Sequence, residues 1–84
     1  MAITDYTRAI ELDPEYANAY YGRGIAYENL EQYDKAIADY TKAIELDPKL
    51  ALAYNNRGFA YLKVGKEKES EADFAKAKML NEGN

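Results

Sequence analysis

The chain contains no cysteine, no histidine and no tryptophan, and only two prolines in 84 residues. The first two absences exclude disulfides, thiolate nucleophiles, imidazole bases and the usual zinc ligands. No apolar run approaches the ~20 residues needed to span a bilayer, so no membrane partner is expected. The opening Met1-Ala2-Ile3-Thr4-Asp5 has no basic stretch leading into an apolar one. No secretory leader is therefore expected, and the cytoplasm is the default location. An excess of positive charge is missing too: 11 Lys and Arg face 15 Asp and Glu, a net charge of −4. That balance disfavours nucleic acid, which needs a basic face. What remains is 48% hydrophobic and 31% charged, the make-up of one small globular domain with a thin core. Its aromatic content is nine Tyr and two Phe, and Tyr suits surfaces that are half buried.

The dominant feature is an internal repeat. Tyr6-Thr7-Arg8-Ala9-Ile10-Glu11-Leu12-Asp13-Pro14 returns 34 residues later as Tyr40-Thr41-Lys42-Ala43-Ile44-Glu45-Leu46-Asp47-Pro48, with eight of nine residues identical. The segment from Ala17 to Tyr27 returns at the same shift as Ala51 to Tyr61. A weaker third copy of the first string begins at Phe74, with Ala77 and Leu80 in register. A fixed period of 34 with helical patterning is the mark of a helical repeat array.

These residues resemble the tetratricopeptide repeat family. Tyr20, Gly24, Tyr27, Ala36, Tyr40, Ala43 and Pro48 follow its small-and-large pattern, and Tyr54, Gly58, Tyr61, Phe74 and Ala77 follow it again. The resemblance covers essentially the whole chain. It implies an all-α, right-handed superhelical stack of antiparallel helix hairpins, about two and a half units long. It assigns those twelve residues, Pro48 aside, to packing. Several positions depart from the pattern: Arg23 and Arg57 replace Leu, Ser70 replaces a small Ala, Glu31 replaces a turn Gly, and Glu82 stands where Pro is usual.

Helices are expected over 2–12, 15–29, 33–46, 49–63 and 67–81. Asp13-Pro14 and Asp47-Pro48 each read as an N-cap followed by Pro at the first helical position. Gly65 supplies a left-handed residue to end the fourth helix. The units are then a half repeat at 1–14, a full repeat at 15–48, and a full repeat with a degenerate capping helix at 49–84. The first helix lacks its hairpin partner. Its Ile3, Tyr6 and Ile10 should be partly uncovered, while the charged run Lys66 to Glu71 suits a solvated end. This asymmetry predicts a homo-oligomer formed through the open N-terminal end, by stacking of a second copy or by domain swapping, or else a marginal monomer.

The two copies also differ from each other, and the differences are ordered. Between 17–30 and 51–64, seven positions are identical. The changed pairs are Asn18/Leu52, Tyr21/Asn55, Gly22/Asn56, Ile25/Phe59, Glu28/Leu62, Asn29/Lys63 and Leu30/Val64. All but the last lie on one helix face by their 3-1-3-3-1 spacing. Every copy must solve the same packing problem, so packing residues repeat and a face free of that problem diverges. In the family this helix lines a concave groove for peptides. The candidate groove is therefore Asn18, Tyr21, Ile25, Glu28, Asn29, Leu52, Asn55, Asn56, Phe59, Leu62 and Lys63. Drift on a solvated face is the competing reading, against which stand Tyr21, Ile25, Phe59 and Leu62. One subset of the family grips a C-terminal carboxylate with Lys, Asn and Arg. Here Tyr21 and Ile25 occupy its basic and amide positions, and only Asn56 matches.

Arg23 and Arg57 repeat, as do Asp5, Asp39 and Asp73. An Arg–Asp ladder between helices is expected, with Arg23 on Asp5 or Asp39 and Arg57 on Asp39 or Asp73. The alternative places the two Arg at the groove edge. No nucleophile–base pair or metal cluster is visible, so no enzyme, cofactor or metal is expected. The expected function is a protein-interaction module binding a peptide or helix of a protein partner. A self-associating structural repeat is the alternative.

Overall fold

The computed structural model describes residues 3–83. They form α1 (Ile3–Leu12), α2 (Ala17–Asn29), α3 (Tyr33–Leu46), α4 (Ala51–Lys63) and α5 (Glu67–Glu82), with no strand among the described residues. The expected helix start at Ala2 lies outside them. Helices α2 and α3 make one hairpin and α4 and α5 a second, while α1 packs on α2 alone. The slab measures 32 × 30 × 17 Å, the thickness of two helix layers.

The layers are unequal. Helices α2 and α4 touch, whereas α1 and α3, or α3 and α5, do not approach each other. The stack therefore curves inward on the side of α2 and α4.

Close approach of helix backbones within each hairpin follows from small residues. Ala19, Ala36, Ala43, Ala53, Ala60 and Ala77 are buried. Gly24 and Gly58 make room for rings on the facing helix: a Cβ on Gly24 would sit 2.6 Å from Tyr40, and one on Gly58 would sit 2.8 Å from Phe74. Tyr40 is the largest side chain to be completely buried. Gly22 plays the same part against Tyr6 of α1.

The turns correct one expectation. Asp13 and Asp47 do not cap helices. Each carboxylate accepts the amide N–H two residues on, from Glu15 at 3.1 Å and Lys49 at 3.2 Å. Each carbonyl then accepts the N–H of Tyr16 or Leu50. These are Asx turns with Pro inside them, so α2 and α4 start two residues later than expected, behind Tyr16 and Leu50. The other two turns are matched Schellman ends. Gln32 N–H reaches the Tyr27 carbonyl and Lys66 N–H reaches that of Tyr61, both at 2.9 Å. The left-handed residue is Gly65 in one and Glu31, at φ 61°, in the other. The missing proline also has a consequence: with Glu82 in its place, α5 runs on through Glu82, one residue past the expected end.

Helix α1 has no fully buried residue. Ile3, Tyr6 and Ile10 are half-buried, and its exposed side carries Thr4, Asp5, Arg8, Glu11 and Leu12. At the other end Lys66 to Glu69 and Glu71 are exposed, with Ser70 buried between them.

Candidate functional site

The side chains that repeat are engaged in packing and pairing. Arg57 donates from Nε and Nη2 to both oxygens of Asp73 at 2.8 Å, and from Nη1 to Thr41 Oγ1 at 3.1 Å. Arg23 reproduces this on Asp39, at 2.8 and 2.9 Å, and on Thr7 at 3.2 Å. The ladder thus selects Asp39 and Asp73 from the expected alternatives, and Asp5 takes no part in these pairs. Each guanidinium lies between two rings, Tyr20 and Tyr27 or Tyr54 and Tyr61, at 5.6–5.9 Å from their centroids. Those four tyrosines are half-buried because they wall in a charge. Their paired carboxylates hold both Arg further above their ordinary value, against the opposing effect of burial. Each Arg joins its own hairpin to the helix before it. The Thr partners were missed in the sequence, although Thr7 and Thr41 repeat at the same shift.

The divergent positions lie along α2 and α4, the two helices that touch on the inward side of the stack. Tyr21, Ile25, Glu28, Asn55 and Asn56 are half-buried, and Asn18, Asn29 and Lys63 are exposed. Leu52, Phe59 and Leu62 are 59%, 49% and 45% exposed, high values for large apolar side chains standing on one helix face. None of the eleven is fully buried. The two helices are joined across this face, where Asn56 Nδ2 donates to the Tyr21 hydroxyl at 3.3 Å. Beneath the joint, the Tyr21 and Tyr40 rings lie 6.0 Å apart. The Tyr40 phenol donates to Glu28 Oε1 at 2.6 Å. Burial, reinforced by that bond, pushes Tyr40 well above the usual phenol range, and burial also raises Tyr21. In the second hairpin Phe59 packs edge-on against Phe74 at 5.0 Å.

A shallow cavity of about 310 Å³ sits at the far end, lined by Lys49, Lys76, Met79, Leu80 and Gly83, away from this face. Among the described residues no helix is long and apolar enough to cross a membrane.

No curated protein matches the chain. Family models described as tetratricopeptide repeat match residues 17–50 and 39–72, and one described as TPR repeat matches 1–31. Among solved structures, the crystal structure of MamA is 39% identical, with a TM-score of 0.92 over 95% of this chain. The chain spans 47% of MamA, about half its length. The second TPR of Spaghetti (RPAP3), bound to the HSP90 peptide SRMEEVD, is 36% identical with a TM-score of 0.91. That match covers 93% of this chain and 72% of that one. The Arabidopsis OM64 TPR domain is 37% identical with a TM-score of 0.94, covering 99% and 69%. The fold is thus that of TPR domains, two and a half units in a right-handed superhelical stack, and it resembles domains solved with a bound peptide. Matched by repeat models over residues 1–72 and superposing on relatives of this identity, the chain belongs to the tetratricopeptide repeat family.

Proposed function

We propose that this chain is a non-enzymatic protein-interaction module that holds a peptide or helix of a partner protein against the inward face of α2 and α4. One observation carries the reading. Leu52, Phe59 and Leu62 remain about half exposed on one face of α4, the helix that Asn56 joins to Tyr21 of α2. Apolar anchors ringed by amide donors and acceptors are what a peptide site requires. The relatives solved with SRMEEVD support the peptide reading in kind. Their ligand does not transfer, because Tyr21 and Ile25 stand where a carboxylate grip needs a cation and an amide.

The test is a displayed library of random 12-residue peptides panned on the 84-residue chain. Wild type should enrich a related set that competes for one site, and Phe59→Asp should enrich none of it. Equal enrichment by Phe59→Asp would refute the reading. Self-association is the second reading. It rests on α1, which has no fully buried residue, and predicts a mass that rises with concentration in sedimentation. A constant monomer mass would remove it.

A further inference from the structure

The two hairpins solve one packing problem with different chemistry. In the first, buried Tyr40 donates to Glu28 Oε1 at 2.6 Å. Thirty-four residues on, the same places hold Phe74 and Leu62. Donor and acceptor have been exchanged together for two apolar groups. The second hairpin shows that packing here needs no carboxylate, so the charge on Glu28 is not demanded by the fold.

That charge is also left without a cation. Among the described residues the ion pairs are Arg23–Asp39, Lys42–Glu45 and Arg57–Asp73. Both half-buried Arg are committed to their own Asp. Among the described residues Oε2, the second oxygen of Glu28, accepts no hydrogen bond, and the one buried side-chain oxygen without a partner is Ser70 Oγ. Oε2 is therefore reachable from solvent while the phenol fixes the orientation of the carboxylate. Tyr21 lies near it and Asn29 follows it in the chain; Arg23, the one cation of α2, is held by Asp39, and Lys63, the cation of the candidate groove on α4, makes no ion pair among the described residues. Across on α4 lie the exposed Leu52, Phe59 and Leu62.

The geometry points to a partner segment that is basic and apolar in turn. A Lys or Arg side chain sits on Glu28, and a Leu, Ile, Met or Phe side chain lies on Phe59 and Leu62. Neighbouring helices stand about 8–10 Å apart, so in an extended segment these two side chains are about two to three residues apart. The net charge of −4 favours the approach of such a segment. This rests on the groove reading above and adds a subsite to it.

The experiment pans the same peptide library on wild type, Glu28→Gln and Phe59→Asp, with folding of each checked by circular dichroism. The amide oxygen of Glu28→Gln still accepts the Tyr40 phenol, so the packing is kept while the charge goes. Wild type should enrich Lys or Arg two to three residues from an apolar residue. Glu28→Gln should keep the apolar preference and lose the basic one. A synthetic peptide from the wild-type pool should bind Glu28→Gln about ten-fold more weakly, as for loss of a charged hydrogen bond. The same loss should follow on wild type when the peptide's own Lys or Arg becomes Gln, so the test does not depend on the variant folding. The difference should shrink as salt rises from about 50 to about 500 mM. Enrichment with no basic preference, or with an acidic one, or equal binding of the Gln peptide, would overturn the inference and leave the groove intact. Wild type enriching nothing, or Phe59→Asp enriching the same pool, would overturn the groove reading and this one with it.

Discussion

Removing Arg57 should be among the most damaging single changes to this chain. The Arg57 and Asp73 side chains are 16% and 6% exposed and share two bonds of 2.8 Å. In Arg57→Ala the carboxylate stays in its place without a cation, which costs about 3–5 kcal/mol. The loss of the rings' cation at Tyr54 and Tyr61 adds about 0.5–1 kcal/mol. A chain of this length holds a total of roughly 4–13 kcal/mol, so the variant should lie at the edge of unfolding. The informative experiment is a double-mutant cycle of Arg57→Met and Asp73→Leu, by urea denaturation followed with far-UV circular dichroism. Each single variant strands a charge, but the double strands none. The double should recover much of the loss, giving a coupling of about 2–3 kcal/mol. The Arg23–Asp39 cycle should give a slightly smaller value, since those side chains are 20% and 8% exposed. The coupling should survive 1 M salt, which screens only exposed pairs. A coupling below about 0.5 kcal/mol would place the pair with ordinary surface ion pairs and refute the reasoning.

Three further outcomes follow from the packing. Gly24→Ala puts a Cβ 2.6 Å from a Tyr40 ring that is fully buried and tied to Glu28; overpacking should cost about 1–3 kcal/mol despite the better helix propensity of Ala, read as a lower urea midpoint. Gly22→Ala should cost less, because the ring it meets belongs to half-exposed Tyr6, and an equal loss would contradict this. Ser70 is 1% exposed with its hydroxyl unpaired, so Ser70→Ala should raise stability by about 1 kcal/mol, and a loss would show a hidden partner. Tyr40 ionises later in the folded chain than its ordinary value of 10.0. Its contribution to stability is complete below about pH 10 and falls by about 1.4 kcal/mol per pH unit as pH rises toward the folded value. Tyr40→Phe should flatten the decline between pH 10 and 11 in urea titrations, and parallel curves for the two proteins would refute that assignment.

Much of the fold was legible because the repeat supplies its own comparison. Glycines at 24 and 58 and alanines at 43 and 77 recur since each hairpin brings two backbones equally close, and where Ala36 is replaced the substitute, Ser70, is also small and buried. The misread turns have a local cause. An Asp before a Pro can cap a helix or close an Asx turn through the same N–H, that of the residue two on, and the two differ in whether the residues that follow are helical. Here Glu15 and Lys49 donate, but Tyr16 and Leu50 hold non-helical ψ values of 92° and 86°, and the helices wait for Ala17 and Ala51. Ladder partners were legible only as alternatives. Asp5, Asp39 and Asp73 are equivalent in sequence, and direction along the stack, which period alone does not carry, decides that each Arg reaches forward into its own hairpin.

The candidate site was legible as a pattern of difference, while its internal wiring was not. Tyr40 repeats in Tyr6 and reads as core, which it is; nothing in the spacing says that its hydroxyl reaches Glu28. The signal lay in a double change, Tyr40 to Phe74 together with Glu28 to Leu62, at positions 12 residues apart in each unit. A single substitution at either place would strand a buried phenol or a half-buried carboxylate, so the two are retained or exchanged as a pair. Differences within a repeat protein are thus of two kinds. Coupled ones, like this pair, preserve the packing while altering what the surface displays. Solitary ones, like Asn18 to Leu52, alter the surface at no cost to packing. On α2 and α4 both kinds occur, Glu28 to Leu62 being one half of the coupled pair and Asn18 to Leu52 a solitary change, while Arg23 and Asp39 recur unchanged as Arg57 and Asp73. On α2 and α4 the physical division of labour is therefore spatial: the Arg and its flanking tyrosines, which bind each hairpin together, are held constant on one side, which frees the other side to set the chemistry of the surface it presents.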